Sequence, residues 1–208
     1  MNTQLLSIDD PHAIESALAI LGRGGLIAYP TDTVYGVACL LMDRAAIARI
    51  FQAKERSPSK AIAVLVGELD QVSLVAATLT EPARLLAARF WPGALTLVVP
   101  ARPDLPDNLS PTPTIGVRMP DHAFARALLR AAGPLATTSA NLSGGPDPRN
   151  AREVLAQLEG RVELVLDGGD VPGGVPSTVV DCTHPQIAIL RDGAISADQI
   201  NQIINNHP

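Results

Sequence analysis

Four stretches of the chain set hydroxyls, amides and cations beside short apolar runs, where a fold can hold them against a ligand. In Pro30-Thr31-Asp32-Thr33-Val34-Tyr35-Gly36, hydroxyls, a carboxylate and a phenol can position a small polar substrate. The same residues can equally form a turn in which Thr and Asp bond their own backbone. In Lys54-Glu55-Arg56-Ser57-Pro58-Ser59-Lys60, three cations within seven residues can clamp a polyphosphate. The alternative is a solvated helix end whose cations complement the macrodipole. Thr137-Thr138-Ser139-Ala140-Asn141-Leu142-Ser143-Gly144-Gly145 offers uncharged donors for phosphate or adenine, or an ordinary polar turn. The fourth stretch joins Ser177-Thr178 to a distant Arg191 and follows a glycine-rich run from Gly168 to Pro176, which is expected to close as a lid.

Of 16 basic residues, 14 are arginine, and the only lysines, Lys54 and Lys60, both lie in the second stretch. That clustering marks a place where a compact ammonium is wanted. Other chemistries find no residues. A P-loop is absent because no lysine lies near a glycine run, and Gly22-Arg23-Gly24-Gly25 precedes an apolar strand instead of following one. No Gly-x-Ser-x-Gly elbow occurs and no histidine falls in the polar stretches, so no catalytic nucleophile is expected. His12, His122, His184 and His207 lack ligand spacing and Cys39 lies far from Cys182, so no protein-held metal is expected either.

The elements that must position these stretches follow from apolar periodicity. Helices are predicted from Asp10-Pro11 to Gly22, from Asp43 to Lys54, from Thr80 to Phe90, over Ala123–Ala132, from Asn150 to Leu158, and after Ser196. Strands are predicted at Leu26–Tyr29, Val34–Leu40, Ala61–Val66, Leu95–Val99, Ile115–Arg118, Leu135–Thr138, Val162–Leu166, Thr178–Asp181 and Ile187–Leu190. The alternation predicts an α/β fold: one domain over residues 1–208, motif-bearing from about 11 to 194, with a twisted mixed sheet flanked by helices. With 208 residues, 47% of them hydrophobic, the chain can bury a core without disulfides. Apolar runs such as Ala61–Val66 fall far short of the ~20 residues of a membrane helix. Two cysteines and no visible signal segment imply a cytoplasmic protein. A net charge of −5 argues against broad nucleic-acid binding but permits a local basic cleft.

In colinear order, the chain carries Pro30-Thr31-Asp32-Thr33-Val34-Tyr35-Gly36, Lys54-x-Arg56 with Lys60, Trp91-Pro92-Gly93-Ala94-Leu95-Thr96 and Val117-Arg118-Met119-Pro120. Thr138-Ser139-Ala140-Asn141, Ser177-Thr178-Val179-Val180-Asp181 and Leu190-Arg191-Asp192-Gly193 follow. Together these motifs resemble the YrdC-like family of threonylcarbamoyl-AMP synthases, in the short form without an added C-terminal domain. The resemblance implies a concave basic cleft and a nucleotidyltransferase that makes L-threonylcarbamoyladenylate from L-threonine, bicarbonate and ATP, releasing pyrophosphate. It also implies Mg²⁺ on the phosphates, a downstream tRNA-modifying threonylcarbamoyl transferase complex, and at most weak direct tRNA contact. Carried over by position, Thr33, Arg118, Thr137 and Ser177 would bind threonine. Lys54, Arg56, Lys60, Thr114, Ser139, Asn141 and Arg191 would bind ATP, with Tyr35 and Asp147 as additional candidates.

Two residues depart from the family pattern. Ser57 separates Arg56 from Pro58 where relatives often have proline directly, and Asp147 stands where relatives often have a small hydroxyl residue. A carboxylate there repels a triphosphate unless it meets a metal or points away. The alternatives to a synthase are an RNA-binding module and another carbamoyl-adenylate-forming enzyme.

Overall fold

The computed structural model describes residues 2–172 and 174–206; Gly173 of the glycine-rich stretch and His207 lie outside them. Ten strands are described: β1 (Gln4–Ser7), β2 (Ile27–Tyr29), β3 (Gly36–Leu40), β4 (Ala63–Leu65), β5 (Leu95–Pro100), β6 (Thr114–Arg118), β7 (Leu135–Ser139), β8 (Leu164–Asp167), β9 (Thr178–Asp181) and β10 (Ala188–Arg191). The helices are α1 (Ala13–Leu21), α2 (Arg44–Lys54), α3 (Glu81–Phe90), α4 (Ala123–Ala132), α5 (Ala151–Leu158) and α6 (Ala197–Asn205).

Helix starts obey local capping chemistry. The side chains of Asp43, Thr80, Asn150 and Ser196 each accept the backbone N–H three residues on, which satisfies an otherwise orphaned donor. Ser196 and Gln199 complete a capping box. At α1 the expected cap is corrected: Asp10 instead accepts the His12 N–H at 2.8 Å, and the helix begins at Ala13. Its buried face is Ala13, Ala17, Ile20 and Leu21, so small residues bring it close to the sheet.

The strands form one mixed sheet in the order β1-β8-β2-β3-β7-β4-β6-β5-β9-β10. Among the described residues, four neighbouring pairs are parallel (β1/β8, β2/β8, β4/β6, β5/β9) and five are antiparallel, three of these in succession from β2 to β4. Side chains alternate across the sheet with period two. Ala28, Val37, Val64, Leu97, Val117 and Val180 enter a core built with α2, α3, α5 and α6. Ile27, Tyr29, Ala38, Leu65, Leu135 and Leu164 face the other way, into a second core under α1 and α4. Among the described residues, no member of β5, β6 or β9 belongs to that second core. Part of this face is therefore left without a helical cover, and there the cavity lies.

Candidate active site

The cavity holds about 270 Å³ and its floor is one face of five adjacent strands. Register places the floor residues side by side: Ala63 pairs with Thr137, Leu65 with Arg118, Val98 with Gly116, and Thr96 with Val179. Small residues make this patch concave. A Cβ at Gly116 would come within 3.1 Å of Thr96 Cγ2, and one at Gly36 within 2.8 Å of Thr137 Cγ2.

At one end stands Arg118, only 6% exposed. Its Nε donates to Gly93 O at 2.9 Å, Nη1 donates to Thr33 Oγ1 at 2.8 Å, and Nη2 pairs with the Asp32 carboxylate. Burial pushes the guanidinium pKa down, while Asp32 pushes it back up. One N–H on each terminal nitrogen remains for a ligand, the bidentate geometry that suits a carboxylate. Thr96 and Ser177 share a 2.8 Å hydroxyl–hydroxyl bond, and Thr137 Oγ1 lies 3.2 Å from the buried Tyr29 hydroxyl.

Arg56 and Arg191 form a second, cationic region of the same cavity. Arg191 donates to Ser177 O through Nε and Nη2, at 3.1 and 2.8 Å. Arg56 donates to Ala61 O at 2.8 Å, while its buried Nε has no partner. Burial lowers the pKa of both, and the charge of Arg191 lowers that of Arg56 further. Two like charges, Arg56 partly buried and Arg191 more exposed, beside an orphaned donor make a place where an anion is stabilised. Asp147 lines the cavity and partly offsets Arg191.

Of the residues expected at the site, the fold gathers Thr33, Arg118, Thr137, Ser177, Arg56, Ser139, Arg191, Tyr35 and Asp147 around this one cavity. Tyr35 lines the cavity with its hydroxyl already engaged, donating to Gly169 O and accepting from Gly168 N. The glycine-rich stretch is also bonded at Val171 (to Arg149 O) and Gly174 (to Thr33 O). Lys54, Lys60, Thr114 and Asn141 do not line the cavity. Lys60 is exposed on the loop after α2, and Thr114 bonds Thr112 at the start of β6. Lys54 and Asn141 are buried behind Ser139.

Sequence reasoning singled out no role for Thr96, Leu65 or Gly116, and it read the Asp32 carboxylate as a substrate contact where the fold pairs it with Arg118. Thr96 had a signal, a hydroxyl on the alternate face of an apolar strand, as did Gly116 between two strand residues. Among the described residues, no group of three or more His, Cys, Asp or Glu side chains could hold a metal, and no helix is long and apolar enough to cross a membrane.

A family model named Sua5_yciO_yrdC, described as telomere recombination, matches residues 19–193. The chain is 40% identical to the threonylcarbamoyl-AMP synthase of Bacillus subtilis, over 97% of this chain and 59% of that protein. It is 38% identical to the human threonylcarbamoyl-AMP synthase, over 87% of this chain and 67% of that protein. The structure of Pyrococcus abyssi Sua5 complexed with L-threonine superposes with a TM-score of 0.92 at 35% identity, over 98% of this chain and 61% of that one. The chain thus spans about three fifths of the length of the Bacillus subtilis and Pyrococcus abyssi proteins.

Proposed function

The chain belongs to the Sua5/YciO/YrdC family, and from that premise we propose that it is an L-threonylcarbamoyladenylate synthase, using L-threonine, bicarbonate and ATP. One observation carries the proposal. A single cavity has a buried, forked guanidinium at one end and a pair of mutually repelling guanidiniums elsewhere in its wall. Such a cavity suits a substrate pair with one carboxylate and one polyphosphate.

In this reading Arg118 takes the threonine carboxylate on its two remaining N–H groups. Thr33, Thr137 and Ser177 meet the hydroxyl and amine, and the apolar Ala63 and Leu65 accept the methyl. The amine captures bicarbonate, giving the carbamate and water. A carbamate oxygen then attacks the α-phosphorus, and the bond to the β-phosphate oxygen breaks to release pyrophosphate. No protein nucleophile takes part; holding the reactants in line supplies the acceleration. Arg56 and Arg191 offset charge developing on the leaving pyrophosphate. Lys60 and Thr114, outside the cavity lining, would meet ATP only where it extends beyond that lining. Mg²⁺ arrives with ATP as part of the substrate, held by phosphate oxygens and water.

The product is an activated carbamoyl donor that a tRNA-modifying threonylcarbamoyl transferase complex would consume in the cytoplasm, with at most weak contact between tRNA and this chain. The amino-acid panel tests the site. Pyrophosphate release should need both threonine and bicarbonate, fall with serine, which lacks the methyl contact, and fall further with valine, because a site that bonds a hydroxyl rejects analogues lacking it. Equal rates with threonine and valine would overturn the assignment.

A further inference from the structure

Lys54 is 1% exposed, and three oxygens surround its ammonium. Its Nζ donates to Ser139 O, to Asn141 O at 2.5 Å and to Asn141 Oδ1 at 3.1 Å. An ammonium has three N–H donors and all three are taken, so none is left for a ligand. Its backbone joins the same corner, since Ser143 N donates to Lys54 O at 2.8 Å. The corner is closed further by Asn141. Its Oδ1 accepts the Ser139 hydroxyl at 2.6 Å, and its Nδ2 donates to Gly145 O at 2.8 Å.

The other side of Lys54 matters as much. The next residue, Glu55, ends α2 in the left-handed region (φ 52), and the chain then turns Arg56 into the cavity. Lys54 therefore sits at the joint between the helix end that presents Arg56 and the loop that presents Ser139 and Asp147. We infer that Lys54 is a positioning residue: its ammonium fastens the Ser139–Asn141 corner to the end of α2, setting the spacing between Arg56 and Ser139 without touching nucleotide. The inference rests on the proposed nucleotide site for what that spacing serves, and departs from the simpler idea that all three clustered cations grip phosphate.

Two measurements test it. In the ligand-free protein, Lys54→Met keeps the side-chain length and removes every donor; amide exchange should quicken at Ser143 and Gly145 while α1 and α4 stay protected. For ligands, affinities of a non-hydrolysable ATP analogue and of AMP are compared across a salt series. A positioning residue predicts roughly tenfold losses for both nucleotides, an unchanged salt slope, and a non-additive double variant in which Ser139→Ala costs less than about twofold more. A loss confined to the triphosphate, with a shallower salt slope and additive effects, overturns the inference and makes Lys54 a phosphate ligand. Should Lys54→Met not fold, Asn141→Ser, which shortens the acceptor, carries the same comparisons and the same contradicting result. Failure of the wild type to bind either nucleotide would instead sink the proposed function, and would leave the ligand-free exchange result to stand by itself.

Discussion

Arg118 has no adequate substitute, because three differently placed oxygens hold its fork and a lysine reaches only one point. Arg118→Lys should keep the fold but raise KM for threonine by one to two orders of magnitude, about 1.4 kcal/mol per tenfold, measured by pyrophosphate release. Arg118→Ala should also lower stability by roughly 3–5 kcal/mol, since it leaves the mostly buried Asp32 carboxylate without its partner. Arg56 is the contrasting case. It makes one bond, to Ala61 O, and sits against a like charge, so Arg56→Ala should cut turnover by orders of magnitude while leaving Tm near the wild-type value. Lys54 adds a pH signature. Burial, then the charge of Arg56, push it from its ordinary 10.5 down to about 7, with Asp147 opposing. Between those values the unfolded chain holds more protons than the folded one, so stability rises with pH across that window. Urea unfolding from pH 7 to 10 should show the wild type gaining on Lys54→Met; a flat difference would contradict the lowered pKa of Lys54. Residue types at the site were legible in the sequence because Thr33, Ser177 and Arg191 stand in polar stretches beside strands, whereas Arg118, at the end of β6, entered only through the family motif Val117-Arg118-Met119-Pro120. The burial of Lys54 was not legible. A lysine at a helix end reads as solvated, and its acceptors come from a loop 85 residues away.

At the level of elements, the least expected constraint is a glycine. A Cβ at Gly193 would lie 2.4 Å from Thr178 N and 2.5 Å from Pro176 O and Ser177 C, all backbone atoms that cannot give way. The turn after β10 thus presses directly on the segment carrying Ser177, while Arg191 binds Ser177 O from the same side. Gly193→Ala should push the two apart, lowering stability by about 1–3 kcal/mol and raising KM for threonine and ATP together; kinetics with both substrates varied would show it. From sequence, Arg191-Asp192-Gly193 is an ordinary turn, and only the fold supplies the neighbour that excludes a methyl group. Long periodic elements such as α2 and α3 were readable because their caps and apolar spacing agree. Strand β1 was not, since Gln4, Leu5 and Ser7 are exposed at the sheet edge and carry no alternation. The start of α1 was misplaced because Asp10 makes a local turn with the same side-chain bond that a cap would use.

Across the whole molecule, charge and topology divide the work. The chain carries a net charge of −5, yet its cavity wall gathers Arg56, Arg118 and Arg191 against a single lining carboxylate, Asp147. The fold achieves this by covering one face of a ten-stranded sheet with four helices and the other with two, so that β5, β6 and β9, with the neighbouring ends of β4 and β7, keep an open, small-residue face. Alternating strand and helix signals were enough to predict a mixed α/β sheet. Strand order was not legible, because β7 lies between β3 and β4 through pairings that no local pattern encodes. That order brings Arg118, Ser139 and Ser177 together from remote parts of the chain, and the central claim is that one cavity joins an amino acid to a nucleotide through a carbamate. Incubation with threonine, ¹³C-bicarbonate and Mg²⁺-ATP, followed at once by mass spectrometry, tests it directly. The account predicts a threonylcarbamoyl-adenylate carrying one ¹³C, formed in equal amount to pyrophosphate and sharply reduced in Arg118→Lys when threonine is limiting. Adenylated threonine without the label, or pyrophosphate released without bicarbonate, would contradict it.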